Sequence, residues 1–233
     1  DYQFGLLMKE LKKNNLYKES LVFFFSDHGD FTGDYGLVEK TQNTFQDCLS
    51  RVPFIIKPPA NNEFEPGIRK DLIELIDFAA TVYDYASIDP NYWHFGKSLK
   101  NILSDINLKH RNVVFTEGGR LQKESQASEK ESLQKSGSLG LYSPRIKQQI
   151  LESKNLPHSK ATMCRNQRYK FIKRAYEMDE FYDLQEDPGE INNLISNSKY
   201  QNEIDSLRDK LLNWYQETCD VVPFKTDERN FEK

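Results

Sequence analysis

Apolar residues recur at helical spacing near both ends of the chain. Near the start they are Phe4, Leu7, Met8 and Leu11, and near the end they are Ile204, Leu207, Leu211 and Tyr215. Side chains three and four positions apart lie on one face of an α-helix. The first set predicts an amphipathic helix over residues 1–15 that ends near Asn14 and Asn15. The second set predicts a late helix.

Continuous apolar runs predict strands in the first half of the chain. Leu21–Phe25 contains no polar residue, which is typical of a strand covered on both faces in a parallel sheet. Val52–Lys57 predicts a second strand, closed by Pro58 and Pro59, which cannot donate to a sheet ladder. Residues 112–116 predict a further short strand.

Cap and turn residues predict three more elements. Asp71 and Glu74 form a capping-box pattern, which predicts a helix from residue 72 to about residue 85. Residues 168–174 and 180–184 predict the two strands of an antiparallel hairpin. The later part of the chain therefore has the pattern of a small α+β unit, with this hairpin followed by the late helix.

The segment 122–138 differs in composition from the rest of the chain. Ser, Lys, Glu and Gln dominate it, and Ala127 and Leu133 are its apolar residues. Such a segment cannot bury enough apolar surface to form a core, so we expect a solvated loop. This places a boundary between a first domain, residues 1–121, and a second, residues 139–233.

Composition and charge exclude several classes of function. The 233 residues are 37% hydrophobic, enough for a modest core. A net charge of -4 gives no basic field that would attract nucleic acid. Three cysteines argue against a disulfide framework. No apolar run approaches the roughly 20 residues that a membrane span needs, and the sequence leaves the compartment undetermined.

The candidate chemistry begins where the first apolar strand ends. Asp27 and His28 follow that strand directly, at the edge where α/β enzymes place their active sites. In the turn beyond the strand, both side chains can bend towards one point. Carboxylates bind hard cations such as Ca²⁺ and Mg²⁺, while zinc and related metals also accept imidazole. Lys40 follows in the next loop and can meet an anion.

Two series of residues extend this pattern along the chain. The first consists of Ser26-Asp27-His28-Gly29, Gly36-Leu37, Lys40, and Arg51-Val52-Pro53 before Ile55-Ile56. The second consists of Tyr169-Lys170-Phe171-Ile172, Glu180-Phe181-Tyr182-Asp183-Leu184, Asp187-Pro188-Gly189-Glu190 and Asn193-Leu194. The first series resembles the sulfatase family of the alkaline phosphatase superfamily, and the second resembles that family's C-terminal signature.

The resemblance implies a fold and a set of site residues. The fold is α/β, part of an alkaline-phosphatase-like α/β/α sandwich with a smaller C-terminal α+β subdomain of antiparallel strands and a late helix. Asp27 and His28 match half of the family's divalent-metal site, usually assigned to Ca²⁺. Many relatives have Asn at the position of His28, which leaves the metal preference open. Lys40 matches the lysine that contacts the sulfate ester.

The family's nucleophile is not visible in this chain. Sulfatases carry a Cys- or Ser-x-Pro-x-Arg motif whose first residue becomes formylglycine, together with two more acidic metal ligands. None of Cys48, Cys164 and Cys219 has proline two places on. We therefore expect a carboxyl-terminal fragment of a larger sulfatase, inactive by itself, whose partners are the missing N-terminal region and a sulfated small molecule or glycan.

Three further residues are candidates for substrate binding. Glu117 and Arg120 follow the strand at 112–116 and could shape a substrate pocket, although a charged turn can equally be solvated. His158 could touch a sugar or a sulfate from the smaller domain, or it could be a surface histidine.

Two other functions are compatible with the same residues. One is a phosphomonoesterase or phosphodiesterase of the same superfamily, which usually uses two zinc ions. The other is a catalytically silent carbohydrate-binding module.

Overall fold

The computed structural model describes residues 1–60, 63–122, 124 and 159–219, which form two compact units. The first unit comprises residues 1–29, 50–114 and the described residues from 209 onward. The second comprises residues 30–49 and the described residues between 115 and 208. The predicted boundary at 122–138 lies almost wholly outside the described residues and stays a prediction.

The helices are α1 (Tyr2–Lys13), α2 (Asp47–Ser50), α3 (Asp77–Ala86), α4 (Lys100–Ser104) and α5 (Gln201–Thr218). The strands are β1 (Val22–Phe25), β2 (Phe54–Lys57), β3 (Val114–Gly118), β4 (Ala161–Arg165), β5 (Tyr169–Arg174) and β6 (Glu180–Asp183). Within the described part of the chain, no helix is both long enough and apolar enough to cross a membrane.

The predicted first helix is confirmed as α1. It is followed by a C-cap at Asn14, whose backbone N–H bonds back to the helix, and by Asn15 in the left-handed conformation. The Phe4 ring packs against Phe24 of β1 with 5.0 Å between centroids. Phe4 therefore connects α1 to the first strand, although α1 has no buried residue and Leu7 of its apolar face is 62% exposed.

Among the residues that the structure describes, the first strand has no parallel neighbour, so the parallel pairing predicted for it was wrong there. β1 pairs antiparallel with β2, from Val22 opposite Lys57 to Phe25 opposite Phe54. It is not fully buried either, because Phe24 and Phe25 are 43% and 37% exposed. An apolar run indicates only that a strand contacts apolar neighbours. Whether the neighbouring strand runs parallel or antiparallel depends on residues far along the chain.

The third helix begins five residues later than predicted, at Asp77, and the Asp71–Glu74 capping box does not form. Asp77 is completely buried, and its carboxylate accepts hydrogen bonds from the backbone N–H groups of Glu74 and Lys97. His110 Nε2 lies 3.0 Å from the same carboxylate, and Arg111 Nε donates to it over 3.0 Å. These tertiary bonds fix the start of α3, and the sequence pattern around residue 71 contains no sign of them.

The second unit contains a four-stranded sheet in the order β3–β4–β5–β6. β4 pairs antiparallel with β5, and β5 with β6, so the predicted hairpin is confirmed. The core cluster of the second unit consists of Phe45, Ala161, Met163, Ile172 and Tyr182. The late helix is also confirmed, as α5, with Ile204, Leu207 and Leu211 buried.

Candidate active site

Asp27 and His28 lie in the turn directly after β1, in the first unit. The Asp27 carboxylate is 85% exposed and the His28 imidazole 41% exposed. Asp27 Oδ2 lies 3.8 Å from His28 Nε2, while Asp27 Oδ1 accepts the His28 backbone N–H over 3.0 Å. Ser26 Oγ donates to the His28 carbonyl over 2.7 Å and tightens the turn. The structure therefore brings the two predicted ligands together.

The tautomer of His28 follows from its partner. Nδ1 lies 2.7 Å from the carbonyl oxygen of Gly29. A carbonyl oxygen can only accept a hydrogen bond, so Nδ1 must carry the proton. In the neutral ring, Nε2 then offers its lone pair on the side of Asp27. A histidine held in this way by its other nitrogen is the form that binds metals.

The pair fits part of a divalent-metal site. One exposed carboxylate oxygen and one imidazole nitrogen lie close enough to contact the same cation. Among the residues that the structure describes, no group of three or more His, Cys, Asp and Glu side chains could hold a metal ion. Asp27 and His28 thus present two of the ligands that such a site would need.

Lys40 is an exposed residue of the second unit, in a segment that comprises residues 30–49. The segment begins with a small hairpin that is closed by an antiparallel bridge between Thr32 and Val38. Asp34 Oδ2 accepts the Thr32 backbone N–H within the hairpin. The tip holds Tyr35 with a positive φ of 55°, an uncommon conformation for a bulky residue. Lys40 is thus presented just beyond an ordered turn.

Beyond Lys40, the segment is bonded to a buried cluster of charges. Lys170 Nζ donates to the Phe45 carbonyl over 2.7 Å and to Asp47 Oδ1 over 2.8 Å. It also lies 2.5 Å from Glu190 Oε1. Glu190 Oε2 accepts the Asp47 backbone N–H over 2.6 Å, and Arg165 forms an ion pair with Asp47. This cluster joins β5 to Phe45 and to Asp47, the first residue of α2.

The environment of the cluster moves the carboxyl pKa values in opposite directions. Burial raises the pKa of Glu190, and this outweighs the lowering effect of Lys170. Burial also acts to raise the pKa of Asp47, but the charges and hydrogen bonds of Lys170 and Arg165 lower it below its ordinary range. Asp47 is therefore the carboxylate that these cations hold most firmly in its ionised form.

Glu117 and Arg120 lie in the second unit, and both have protein partners. Lys160 Nζ lies 3.1 Å from Glu117 Oε1, and Arg120 Nη1 donates to the Glu124 carbonyl over 2.6 Å. Residues Arg120 and Ser159 also form an isolated parallel bridge. These contacts tie the turn to the start of β4, and a substrate role for either residue stays a prediction. His158 lies outside the described residues.

Sequence reasoning assigned no site role to Tyr35, Asp47, Lys170 or Glu190. Tyr35 Oη donates to the Gly189 carbonyl over 2.5 Å, and the other three form the buried cluster. The sequence held no local signal for this cluster, because successive side chains of a strand point to opposite faces and a lysine between Tyr169 and Phe171 is equally expected to face solvent.

Two family models match the chain. The model described as Sulfatase matches residues 1–88, and the model described as N-sulphoglucosamine sulphohydrolase, C-terminal, matches residues 153–217. An ulvan-active sulfatase of Formosa agariphila is 24% identical over 92% of this chain and 36% of its own length. An arylsulfatase of Clostridium perfringens is 25% identical over 91% of this chain and 37% of its own. The chain thus spans little more than a third of the length of these relatives.

Solved structures share the fold. One is described as a complex with its substrate D-glucosamine-2-N,6-O-disulfate. It matches with a TM-score of 0.71 at 19% sequence identity, and the match covers 96% of this chain and 39% of that chain. A phosphonate monoester hydrolase from Silicibacter pomeroyi has a TM-score of 0.70 at 19% identity, covering 98% of this chain and 42% of its own. The α/β fold expected from the resemblance is therefore confirmed.

Proposed function

We propose that this chain forms half of the active site of an enzyme that hydrolyses sulfate monoesters. The premise is the similarity of the chain to the carboxyl-terminal part of sulfatases. The products would be an alcohol and inorganic sulfate. The observation that carries the proposal is the Asp27–His28 pair, whose Oδ2 and Nε2 atoms lie 3.8 Å apart in the turn after β1.

Asp27 and His28 would hold a divalent cation, with Ca²⁺ as the cation that the resemblance implies. Asp27 supplies the hard oxygen ligand that Ca²⁺ prefers, whereas His28 also suits softer metals. When bound, such a cation supplies Lewis-acid polarisation of the sulfate oxygens. The hydrogen bond from His28 Nδ1 to the Gly29 carbonyl would keep Nε2 oriented for this role.

Lys40 would bind the sulfate group. Lys40 is exposed, and it comes directly after the ordered hairpin at residues 31–39. A fixed positive charge stabilises negative charge that develops on the sulfate or on the bridging oxygen as the alcohol leaves. Lys40 would therefore contribute more to turnover than to metal binding.

The nucleophile would be supplied by a region that this chain does not contain. The resemblance implies a formylglycine, made from Cys or Ser, together with two more acidic metal ligands. Because both sets of groups are needed, the 233-residue chain alone should release no sulfate. Sulfate release by this chain alone would contradict the proposal.

The test is an assay of sulfate and phosphate release from 4-nitrophenyl esters. It uses the natural protein at its full length, produced together with a formylglycine-generating enzyme. We expect sulfate release that falls about 100-fold or more in Lys40→Ala while the metal content is unchanged. Full sulfate release by Lys40→Ala would refute the role of Lys40.

A second candidate is hydrolysis of a phosphate or phosphonate ester. The observation in its favour is the similarity in fold to the phosphonate monoester hydrolase, with a TM-score of 0.70. In the same assay, preferential release of phosphate would favour this candidate. Two zinc ions per protein would favour it further, whereas release of neither anion by the full-length protein would favour a silent carbohydrate-binding module.

A further inference from the structure

The segment that carries Lys40 is bonded to the second unit on both sides of that residue. Tyr35 lies five residues before Lys40, and its hydroxyl donates to the Gly189 carbonyl over 2.5 Å. Phe45 lies five residues after Lys40, and its carbonyl accepts from Lys170 Nζ over 2.7 Å. Five residues span at most about 18 Å, so two fixed ends restrict how far the residue between them can move.

Further bonds strengthen the second attachment. Asn43 Nδ2 donates to the Ser159 carbonyl, and Arg174 Nη1 donates to the Asn43 carbonyl, both over 3.1 Å. The Phe45 side chain is buried in the core cluster of the four-stranded sheet. At Gly118, a Cβ atom would collide with the Gln42 carbonyl oxygen, so the segment lies directly against β3. The attachment is thus made by backbone, side chain and core packing together.

In the first attachment, the hydrogen bond comes from one hydroxyl, and the hairpin also contains the buried Phe31 side chain. Burial and the nearby Glu190 raise the pKa of Tyr35 to about 12, so the phenol keeps its proton at neutral pH and can always donate to Gly189. Gly189 and Glu190 are adjacent in the sequence. The turn that receives the Tyr35 hydroxyl therefore also supplies the carboxylate that binds Lys170 and the Asp47 backbone.

We propose that Tyr35 and the Lys170–Glu190 pair are positioning residues for Lys40. The turn at residues 187–190 would hold the two ends of the Lys40 segment at a fixed spacing, through Tyr35 on one side and Asp47 on the other. This inference rests on the proposed role of Lys40 in binding sulfate. It gives a physical role to Lys170, Gly189 and Glu190 of the C-terminal signature.

Tyr35→Phe is the sharpest variant, because it removes one hydroxyl from a half-exposed side chain and leaves the ring in place. Tyr176→Phe is the matched control. Tyr176 is also about half exposed, and its hydroxyl accepts the Gln122 backbone N–H over 3.1 Å, outside the Lys40 segment. Both variants lose one hydrogen bond between a tyrosine hydroxyl and the backbone.

The kinetic test compares these variants in the natural full-length protein with Lys40 and with Lys40→Ala. We expect Tyr35→Phe to lower kcat for sulfate release about 5-fold with little change in KM, and to have no further effect once Lys40 is alanine. Tyr176→Phe should leave kcat unchanged in both backgrounds. Equal losses from Tyr35→Phe in both backgrounds, or no loss in either, would overturn the inference.

Amide hydrogen exchange separates failure of this inference from failure of the proposed function, because it needs no activity. Tyr35→Phe should speed exchange of amides within residues 33–41 about 10-fold or more, while Tyr176→Phe should leave them unchanged. Unchanged exchange in Tyr35→Phe would overturn the positioning role even in an active sulfatase. Faster exchange would support it even if the enzyme released phosphate in place of sulfate.

Discussion

Lys170 Nζ and Glu190 Oε1 lie 2.5 Å apart although the two side chains are 0% and 1% exposed. Glu190 reaches this position with a positive φ of 53°, which an ordinary residue adopts only under tertiary constraint. The strand that carries Lys170 also contributes Ile172 to the core cluster, so the charge lies on a strand of the core. Removing one partner would leave the other charged and buried.

Lys170→Met should destabilise the protein by about 3–5 kcal/mol, because Asp47 and Glu190 would lose their shared cation. Urea unfolding followed by circular dichroism measures this change in the free energy of unfolding. Lys173→Met is the matched control on the same strand, since Lys173 is exposed and pairs with Asp179 at 3.0 Å. It should cost about 1 kcal/mol or less. Equal effects of the two substitutions would contradict a special role for the buried lysine.

Gly96→Ala should destabilise the first unit by about 1–3 kcal/mol. A Cβ atom at this position would overlap the backbone carbonyl oxygen of Ile76, which is not free to move away. Gly5→Ala is the control, because Gly5 lies inside α1 and, apart from its chain neighbours and the backbone of its own helix, no atom lies within 4 Å of the added carbon. Alanine favours a helix over glycine, so Gly5→Ala should stabilise by about 0.5–1 kcal/mol.

The two glycine variants are compared by thermal unfolding, in which opposite shifts in Tm are expected. A Gly96→Ala protein as stable as the wild type would show that the segment at residues 95–99 is not held against α3. The structure does hold this segment against α3, since Thr81 Oγ1 accepts the Leu99 backbone N–H over 3.0 Å.

Local patterns were enough to predict the elements whose contacts repeat along the sequence. The helices α1 and α5 follow from apolar residues at helical spacing, and the β5–β6 hairpin from two apolar runs around a turn. The start of α3 was missed because His110 and Arg111, which bind Asp77, lie more than 30 residues away. The direction of β1 was missed for the same reason, since β2 begins 29 residues after β1 ends.

The candidate site could be predicted where its residues are adjacent. Asp27 and His28 meet in one turn, so the sequence contained their relationship. The attachment of the Lys40 segment could not be predicted in this way. Tyr35 and Gly189 are 154 residues apart, and Asp47 and Lys170 are 123 residues apart. Only the resemblance singled out the residues near Gly189, and it gave them no physical role.

Asp77→Asn should destabilise the protein by about 3 kcal/mol at neutral pH, because it removes the charge that faces Arg111 and His110. Burial acts to raise the pKa of Asp77, but hydrogen bonds from these two residues and from two backbone N–H groups lower it well below its ordinary range. A lowered folded-state pKa gives stability that is present above the ordinary carboxyl range and is lost as pH falls below about 4. The difference from wild type should therefore shrink between pH 5 and pH 2.

Urea unfolding at a series of pH values measures this difference. Asp84→Asn is the control on the same helix, where a partly exposed carboxylate pairs with Lys100 at 3.3 Å. It should change stability by about 1 kcal/mol or less at neutral pH. If the Asp77→Asn difference stayed constant down to pH 2, the folded-state pKa of Asp77 would not be lowered.

Asp27→Ala should lower the divalent-metal content of the natural full-length protein from about one ion per molecule to about a tenth of that or less. The proposed site would lose its exposed carboxylate, and His28 Nε2 would remain as a single neutral ligand on this side. Asp30→Ala, which removes the next exposed carboxylate along the chain, should leave the metal content unchanged. Inductively coupled plasma mass spectrometry after extensive dialysis measures both.

His28→Asn extends the test to metal identity, because it replaces an imidazole nitrogen with an amide oxygen that a hard cation prefers. We expect His28→Asn to keep Ca²⁺ bound, whereas a wild-type protein that carries zinc and loses it in His28→Asn would assign this half-site to a softer metal.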